Sequence, residues 1–206
     1  MISHILYDLD GVVVNSPKRL FSTALAERFG ASHDRDLLPF FEGVFQHCLI
    51  GKADLKEVLP AYLPRWRWRG NVEELLRFWF ENERAFDERM LSHIKELRGK
   101  GKRCFLATNN EKYRTKYLWK EMFLCERFDD IFSSASVGFL KSEQEFWEAV
   151  FARMGNPDKE SVFFWDDDQQ NVDAARQFGF AAEFYTDFDT YKNKMDALTS
   201  SQSPPI

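Results

Sequence analysis

The chain has 206 residues, 44% of them hydrophobic and 16% aromatic with 21 Phe, so it is long enough for one domain with a sizeable insertion and is neither disordered nor of low complexity. Acidic side chains outnumber basic ones, 33 to 28, and the net charge of −5 argues against nucleic acid and acidic membrane surfaces as partners. Three scattered cysteines (Cys48, Cys104, Cys125) make neither a disulfide framework nor a CxxC pair, no apolar run approaches about 18 residues, and acid follows the first residues too early for a signal peptide, so a cytoplasmic protein, monomeric or weakly dimeric, is expected.

The run 2–7 is short and apolar, as a buried strand is. The next such run, 103–107, comes only after the 95 positions 8–102, where a whole strand–helix–strand unit takes about 30. Most of that gap reads helical. Ser16-Pro17 is an N-cap with proline at the first helical position, leading a helix that turns Leu20, Phe21, Ala24, Leu25 and Phe29 inward. Gly51-Lys52-Ala53-Asp54 opens another. In the segment 64–70, Trp66 and Trp68 are expected to anchor helices beneath the arginine stems, with contact to a sugar or second phosphate as the alternative. Asn71 and Glu74 form a capping box before Leu75, Leu76, Trp79 and Phe80, and Met90, Leu91, Ile94 and Leu97 mark the helix that returns to the sheet.

Further strand runs fall at 130–134, 161–165 and 181–185. Between them lie helices marked by Tyr113, Tyr117 and Leu118, by Phe146, Trp147, Val150, Phe151 and Met154, and by Val172, Ala175 and Phe178. This alternation implies an α/β fold: a doubly wound parallel, Rossmann-like sheet with an inserted helical cap. The expected core is 1–15 with 85–198, the cap is 16–84, and the polar, proline-ended segment 199–206 is expected to fray.

Three polar clusters follow strands directly: Asp8-Leu9-Asp10-Gly11, Thr108-Asn109-Asn110 and Asp166-Asp167-Asp168. Each alone reads as a turn or a helix cap. A parallel sheet brings all three to one edge, where such sheets bind ligands. Four carboxylates there repel, at about 4 kcal/mol per pair for a 4 Å separation and an effective dielectric of about 20. A hard cation such as Mg²⁺ would relieve this, and with a phosphorylated small molecule the chemistry would be phosphoryl transfer. Lys141 precedes Ser142 and Glu145, an S-x-x-E pattern that predicts a helix N-terminus beside the lysine and so an anion site. His47-Cys48 lacks any oxyanion apparatus, and Cys104 and Cys125 are expected to be packing thiols.

Together DLDGVVV (8–14), ATNN (107–110), GFLKSEQEFW (138–147) and FFWDDDQQNVDAARQFG (163–179) resemble the four motifs of the haloacid dehalogenase superfamily, in order and across nearly the whole chain. The helical insertion resembles the cap of the subfamily containing sugar-phosphate phosphatases, phosphomutases and the phosphatase domain of epoxide hydrolases. The resemblance implies that Asp8 is a nucleophile forming a phosphoaspartate, and that Asp10 protonates the leaving group and later activates water. It implies that Thr108 binds the phosphoryl group by its hydroxyl, Asn109 by its backbone, and that Lys141 neutralises charge. Mg²⁺ would be held by Asp8, the Asp10 carbonyl and Asp167, with Asp166 a neighbouring or water-mediated ligand. Two positions depart from the pattern: Ser142 stands where proline is frequent, and Asn15 where Asp is common.

Halide departure needs no general acid, so Asp10 and Asp167 together argue for a phosphatase rather than a dehalogenase. The expected substrate is a small phosphomonoester of the sugar or polyol phosphate type. Phosphomutase or phosphotransferase chemistry of the β-phosphoglucomutase type is the nearest alternative. A module that holds a phosphoaspartate without turnover, or serves only interaction, is the alternative from another class.

Overall fold

Five short runs of apolar and aromatic residues pair into one parallel sheet in the computed structural model, which describes residues 1–14 and 20–200. They are β1 (His4–Tyr7), β2 (Arg103–Thr108), β3 (Asp130–Ser133), β4 (Val162–Asp166) and β5 (Ala181–Phe184), in the order β3-β2-β1-β4-β5. Each lies within two residues of its expected limits, and the α/β class is the expected one. Tyr7 pairs with Leu106 on one side and Trp165 on the other, so the segments after β1, β2 and β4 leave the sheet at the same edge.

Successive residues of a strand face opposite layers. Ile5 and Tyr7 join Cys104, Leu106, Phe163 and Trp165 in a core closed by the helices Glu88–Gly99 and Phe188–Ser200. Leu6, Phe105, Ala107 and Phe164 join the opposite core, closed by Gln144–Arg153 and Gln169–Phe178. With both faces covered, the strands read as continuous apolar runs rather than alternating ones.

The long stretch between β1 and β2 builds a third core. Phe21 and Leu25 of the helix Phe21–Phe29 pack with Phe40, Leu55 and Trp66, and with Leu75, Leu76 and Trp79 of Val72–Asn82. Asn71 and Glu74 exchange hydrogen bonds of 2.9 Å as the expected capping box, and Asp54 caps Leu55–Val58. The chain passes between the layers at Val14 and Phe86, which pair antiparallel, and the Asp87 N–H donates to the Val13 carbonyl at 2.9 Å.

Within the segment 64–70, Trp66 is fully buried against Phe40 and its indole N–H donates to the Asp36 carbonyl at 2.7 Å. Trp68 packs on Phe29 and Phe78. Both indoles are therefore anchors of the inserted helices. Two expectations are corrected. Thr199 and Ser200 continue the last helix, and Thr199 Oγ1 donates back to the Met195 carbonyl at 2.7 Å. Cys125 is exposed, since the one-turn helix Leu124–Arg127 turns Leu124 inward instead. Ser16-Pro17, Asn15 and 201–206 lie outside the described residues. No described helix is long and apolar enough to cross a membrane.

Replacing Trp66 by Phe should lower stability in urea by about 1–3 kcal/mol, from an unpaired buried carbonyl and a smaller ring, at unchanged substrate KM. A raised KM at wild-type stability would return this segment to the substrate-contact alternative.

Candidate active site

The ladder of β1 runs one residue past the strand: the Asp8 N–H donates to the Trp165 carbonyl at 2.8 Å. Asp8 is thereby buried at the sheet edge. The Leu9 carbonyl then accepts the Val13 and Val14 N–H groups, and Gly11 closes the turn by donating to the Val14 carbonyl at 2.8 Å. Gly11 has φ +95°, and a Cβ built on it would lie 1.9 Å from Asp167 Oδ2. Only glycine fits this turn while the Asp167 carboxylate lies against it.

Lys141 enters from the loop after β3. Its ammonium bonds the Asp8 carboxylate and donates to Asp166 Oδ2 at 2.7 Å, with the lysine side chain 2% exposed. The backbone here is held from both sides. Asn109 Oδ1 accepts the Lys141 N–H at 3.0 Å, and the Lys141 carbonyl accepts the Trp147 indole N–H at 2.7 Å. Asp166 also accepts from the Asp168 N–H at 2.8 Å and from the Asn171 amide. The expected helix start beside Lys141 is corrected. Leu140 and Glu143 close a turn on each other, the Leu140 N–H donating to Glu143 Oε2 at 2.6 Å, so the helix begins at Gln144 and Ser142 caps nothing.

Thr108 ends β2, buried, and its Oγ1 accepts from the Asn110 amide at 2.7 Å. The same amide donates to Asp10 Oδ2 at 2.9 Å. Asp10 is half-exposed, and its other oxygen is bonded by Arg114 Nη2. Arg114 is buried and donates from Nη1 to Glu83 Oε2 at 2.6 Å. Asp8, Asp10, Thr108, Asn109, Lys141, Asp166 and Asp167 thus all gather at one edge. Asn110, Arg114, Asn171, Trp147 and Glu83 complete the hydrogen bonding and were not expected to. Arg114 lies on a short helix and Glu83 just past the end of another, where charge normally means solvent, and only the placement of Asn110 two residues after Thr108 hinted at a role.

Burial raises the Asp8 carboxyl well above the usual carboxylate range; Lys141 pulls it down and Asp166 pushes it up again. Burial by itself would lower Lys141, but Asp8 and Asp166 outweigh it and hold the ammonium above its usual value. Burial and then the Asp166 charge raise Asp167 as well. Lys141 is shared by two carboxylates and Arg114 by two more, so the edge holds more negative charge than its cations cancel. Oxygens of Asp8, Asp166 and Asp167 lie within 4.8 Å of one another. This all-oxygen set and the glycine cradle beside Asp167 fit a hard divalent cation. Asp166 is the least available ligand, its oxygens being already engaged.

A cavity of about 490 Å³ opens above this edge. Its floor is Asp10, Gly11, Asn109, Asn110, Glu111, Arg114 and Asp167; its walls are largely apolar, Leu20, Phe21, Leu38, Phe41, Phe45, Leu49, Trp79 and Phe80 of the inserted segment, with Ser22, His33 and Glu83 the polar groups among them. Cys48 lies outside it; burial, and then the Glu111 and Asp54 charges, push its thiol up to about 11. It is no nucleophile at neutral pH.

The model of the haloacid dehalogenase-like hydrolase family matches residues 2–179. The sesquiterpene phosphatase astK of Aspergillus oryzae is 34% identical over 101 residues, 49% of this chain and 51% of that protein. The chain thus aligns with about half the length of this curated relative. Among solved structures, the haloacid dehalogenase family enzyme bt-2542 of Bacteroides thetaiotaomicron superposes with TM-score 0.80 at 19% identity, covering 94% of this chain and 98% of that one. Its complex with magnesium and inorganic phosphate superposes at TM-score 0.79 and 18% identity, covering 93% and 99%. A haloacid dehalogenase-like hydrolase of Porphyromonas gingivalis gives TM-score 0.79 at 21% identity over 98% of this chain and all of that one. At these identities the structural likeness is one of fold.

Replacing Lys141 by Met should destabilise the fold by about 3–5 kcal/mol, because two buried carboxylates lose their shared cation. Urea unfolding at neutral pH measures this, and a loss below about 1 kcal/mol would mean that the ammonium is not what balances them.

Proposed function

The chain belongs to the haloacid dehalogenase-like hydrolases, and on that footing we propose that it is a Mg²⁺-dependent phosphatase acting on a small phosphomonoester through an aspartyl-phosphate intermediate. The observation that carries this reading is the convergence of Asp8, Asp10, Thr108, Lys141 and Asp167 at one sheet edge, where Asp10 and Asp167 line the cavity. An Asp8 oxygen attacks phosphorus, and the bond from phosphorus to the leaving oxygen breaks as Asp10 gives that oxygen a proton. Asp10, now a base, takes a proton from the water that attacks the phosphoaspartate, releasing inorganic phosphate and restoring Asp8. The Thr108 hydroxyl and the Asn109 N–H donate to the phosphoryl oxygens, and Lys141 offsets their charge. Asp8, Asp167 and the Asp10 carbonyl would hold Mg²⁺, with Asp166 beside them; bound there, it supplies charge neutralisation between the nucleophile and the phosphoryl group.

The walls of the cavity favour an apolar leaving group over the sugar or polyol expected from the motifs. Sugar hydroxyls set against Phe21, Phe41, Phe45 and Trp79 would lose hydrogen bonds to water, with only Ser22 and His33 beside them to replace a few. An isoprenoid or similar hydrocarbon chain gains from the same surface. The name of the Aspergillus oryzae relative, a sesquiterpene phosphatase, agrees with this choice.

Hydrolysis of an aryl phosphate by the purified protein should vanish with EDTA and return with Mg²⁺, and Asp8→Asn should be inactive. Asp8→Asn turning over at the wild-type rate would overturn the assignment. A fifteen-carbon isoprenyl monophosphate should exceed glucose 6-phosphate in kcat/KM by at least about 100-fold, a margin that burying about four methylenes supplies. Preference for the sugar phosphate would remove the apolar-substrate reading and leave the phosphatase reading standing.

A further inference from the structure

Arg114 is a buried arginine at the junction of the inserted helices and the sheet edge. The N-cap residue Glu111 fixes its backbone, accepting the Arg114 N–H on Oε1 and the Tyr113 N–H on Oε2. Its guanidinium reaches two carboxylates at once: Nη2 bonds Asp10 and Nη1 bonds Glu83 at 2.6 Å, while Nε is buried with no partner among the described residues. A planar fork held this way sets the distance and angle between the two acids.

Glu83 in turn belongs to the inserted helices. It follows the last turn of Val72–Asn82 as its C-cap, and its Oε1 accepts the Phe21 N–H at 3.0 Å, where the helix Phe21–Phe29 begins. Its Oε2 also accepts the Trp79 indole N–H at 3.0 Å. Phe21 and Trp79 stack with centroids 4.6 Å apart and form part of the cavity wall. One unbroken chain of contacts therefore runs from the apolar wall through Glu83 and Arg114 to Asp10.

We infer that Arg114 is a positioning residue that aims Asp10 at the leaving-group oxygen, and that Glu83 ties this aim to the wall the leaving group packs against. The inference rests on the phosphatase reading, in which Asp10 gives the proton. A half-exposed aspartate would otherwise sample several rotamers, and proton transfer needs one of them within hydrogen-bond reach of the leaving oxygen. Arg114 lies in the cavity floor, but both its terminal nitrogens are engaged by Asp10 and Glu83, so in this scheme it acts through Asp10.

Leaving-group dependence tests it. A simple alkyl phosphate needs its leaving oxygen protonated, whereas p-nitrophenolate departs readily without help. Arg114→Met should lower kcat/KM for octyl phosphate at least about ten times more than for p-nitrophenyl phosphate, within the range general-acid catalysis contributes. The ratio is taken on one preparation, so a smaller folded fraction cancels from it. Arg114→Lys should recover part of the ratio, and Trp79→Phe, which removes the indole N–H and keeps an aromatic wall, should shift it the same way by less. Arg114→Met should change the ratio no further in an Asp10→Asn background. Parallel losses for both substrates, or a further change of the ratio in Asp10→Asn, would overturn the positioning role while leaving the phosphatase intact. No hydrolysis of either ester by the unaltered protein would instead sink the reading beneath it.

Discussion

The ammonium of Lys141, enclosed between the carboxylates of Asp8 and Asp166, is the constraint around which the sheet edge is organised. Removing such ions from water costs several kcal/mol each, and mutual attraction repays it only where the geometry is good and the remaining polar atoms are bonded. The neighbouring residues meet that condition. Asn109 and Trp147 hold the lysine backbone, while Asn171 and the Asp168 N–H fill the other Asp166 oxygen sites. The segments that end four strands, β1 to β4, are thereby locked to one another, and a chemical requirement becomes a geometric one.

The rest of the molecule divides labour around that lock. The sheet edge supplies a polar, negatively charged floor, because parallel strands all end there and their following loops cannot be covered by the flanking helices. The insertion supplies walls from its own aromatic core, in which Phe21, Phe41 and Trp79 pack on one another and still face the cavity. Under the proposed phosphatase reading, a polar floor and a largely apolar wall would separate two tasks, stabilising charge on a phosphoryl group and selecting what is attached to it. The junction of the two is bridged by Arg114, whose charge is spent on one acid from each side.

Much of this was legible in the residue order. All five strands could be read because burial on both faces turns a strand into a short unbroken apolar run. The helices were legible from their apolar spacing and the Asn71–Glu74 box from its capping chemistry. The acidic clusters were recognisable because each follows a strand directly. What misled was local pattern with a closer competitor: Ser142 and Glu145 spell a capping box, but Glu143 reaches back to the Leu140 N–H and the helix begins later.

The sequence by itself determined the fold class, the edge at which the acids meet and the family of motifs they compose, because these depend on periodicity and on residue type at strand ends. Only the tertiary structure decided which carboxylates share Lys141, that Arg114 and Glu83 join the two layers, and that the cavity wall is largely apolar. The physical reason is that spacing along a helix reports which face is buried but not what it is buried against. A charged residue on such a face reads as solvated until another segment, distant in the chain, supplies its partner.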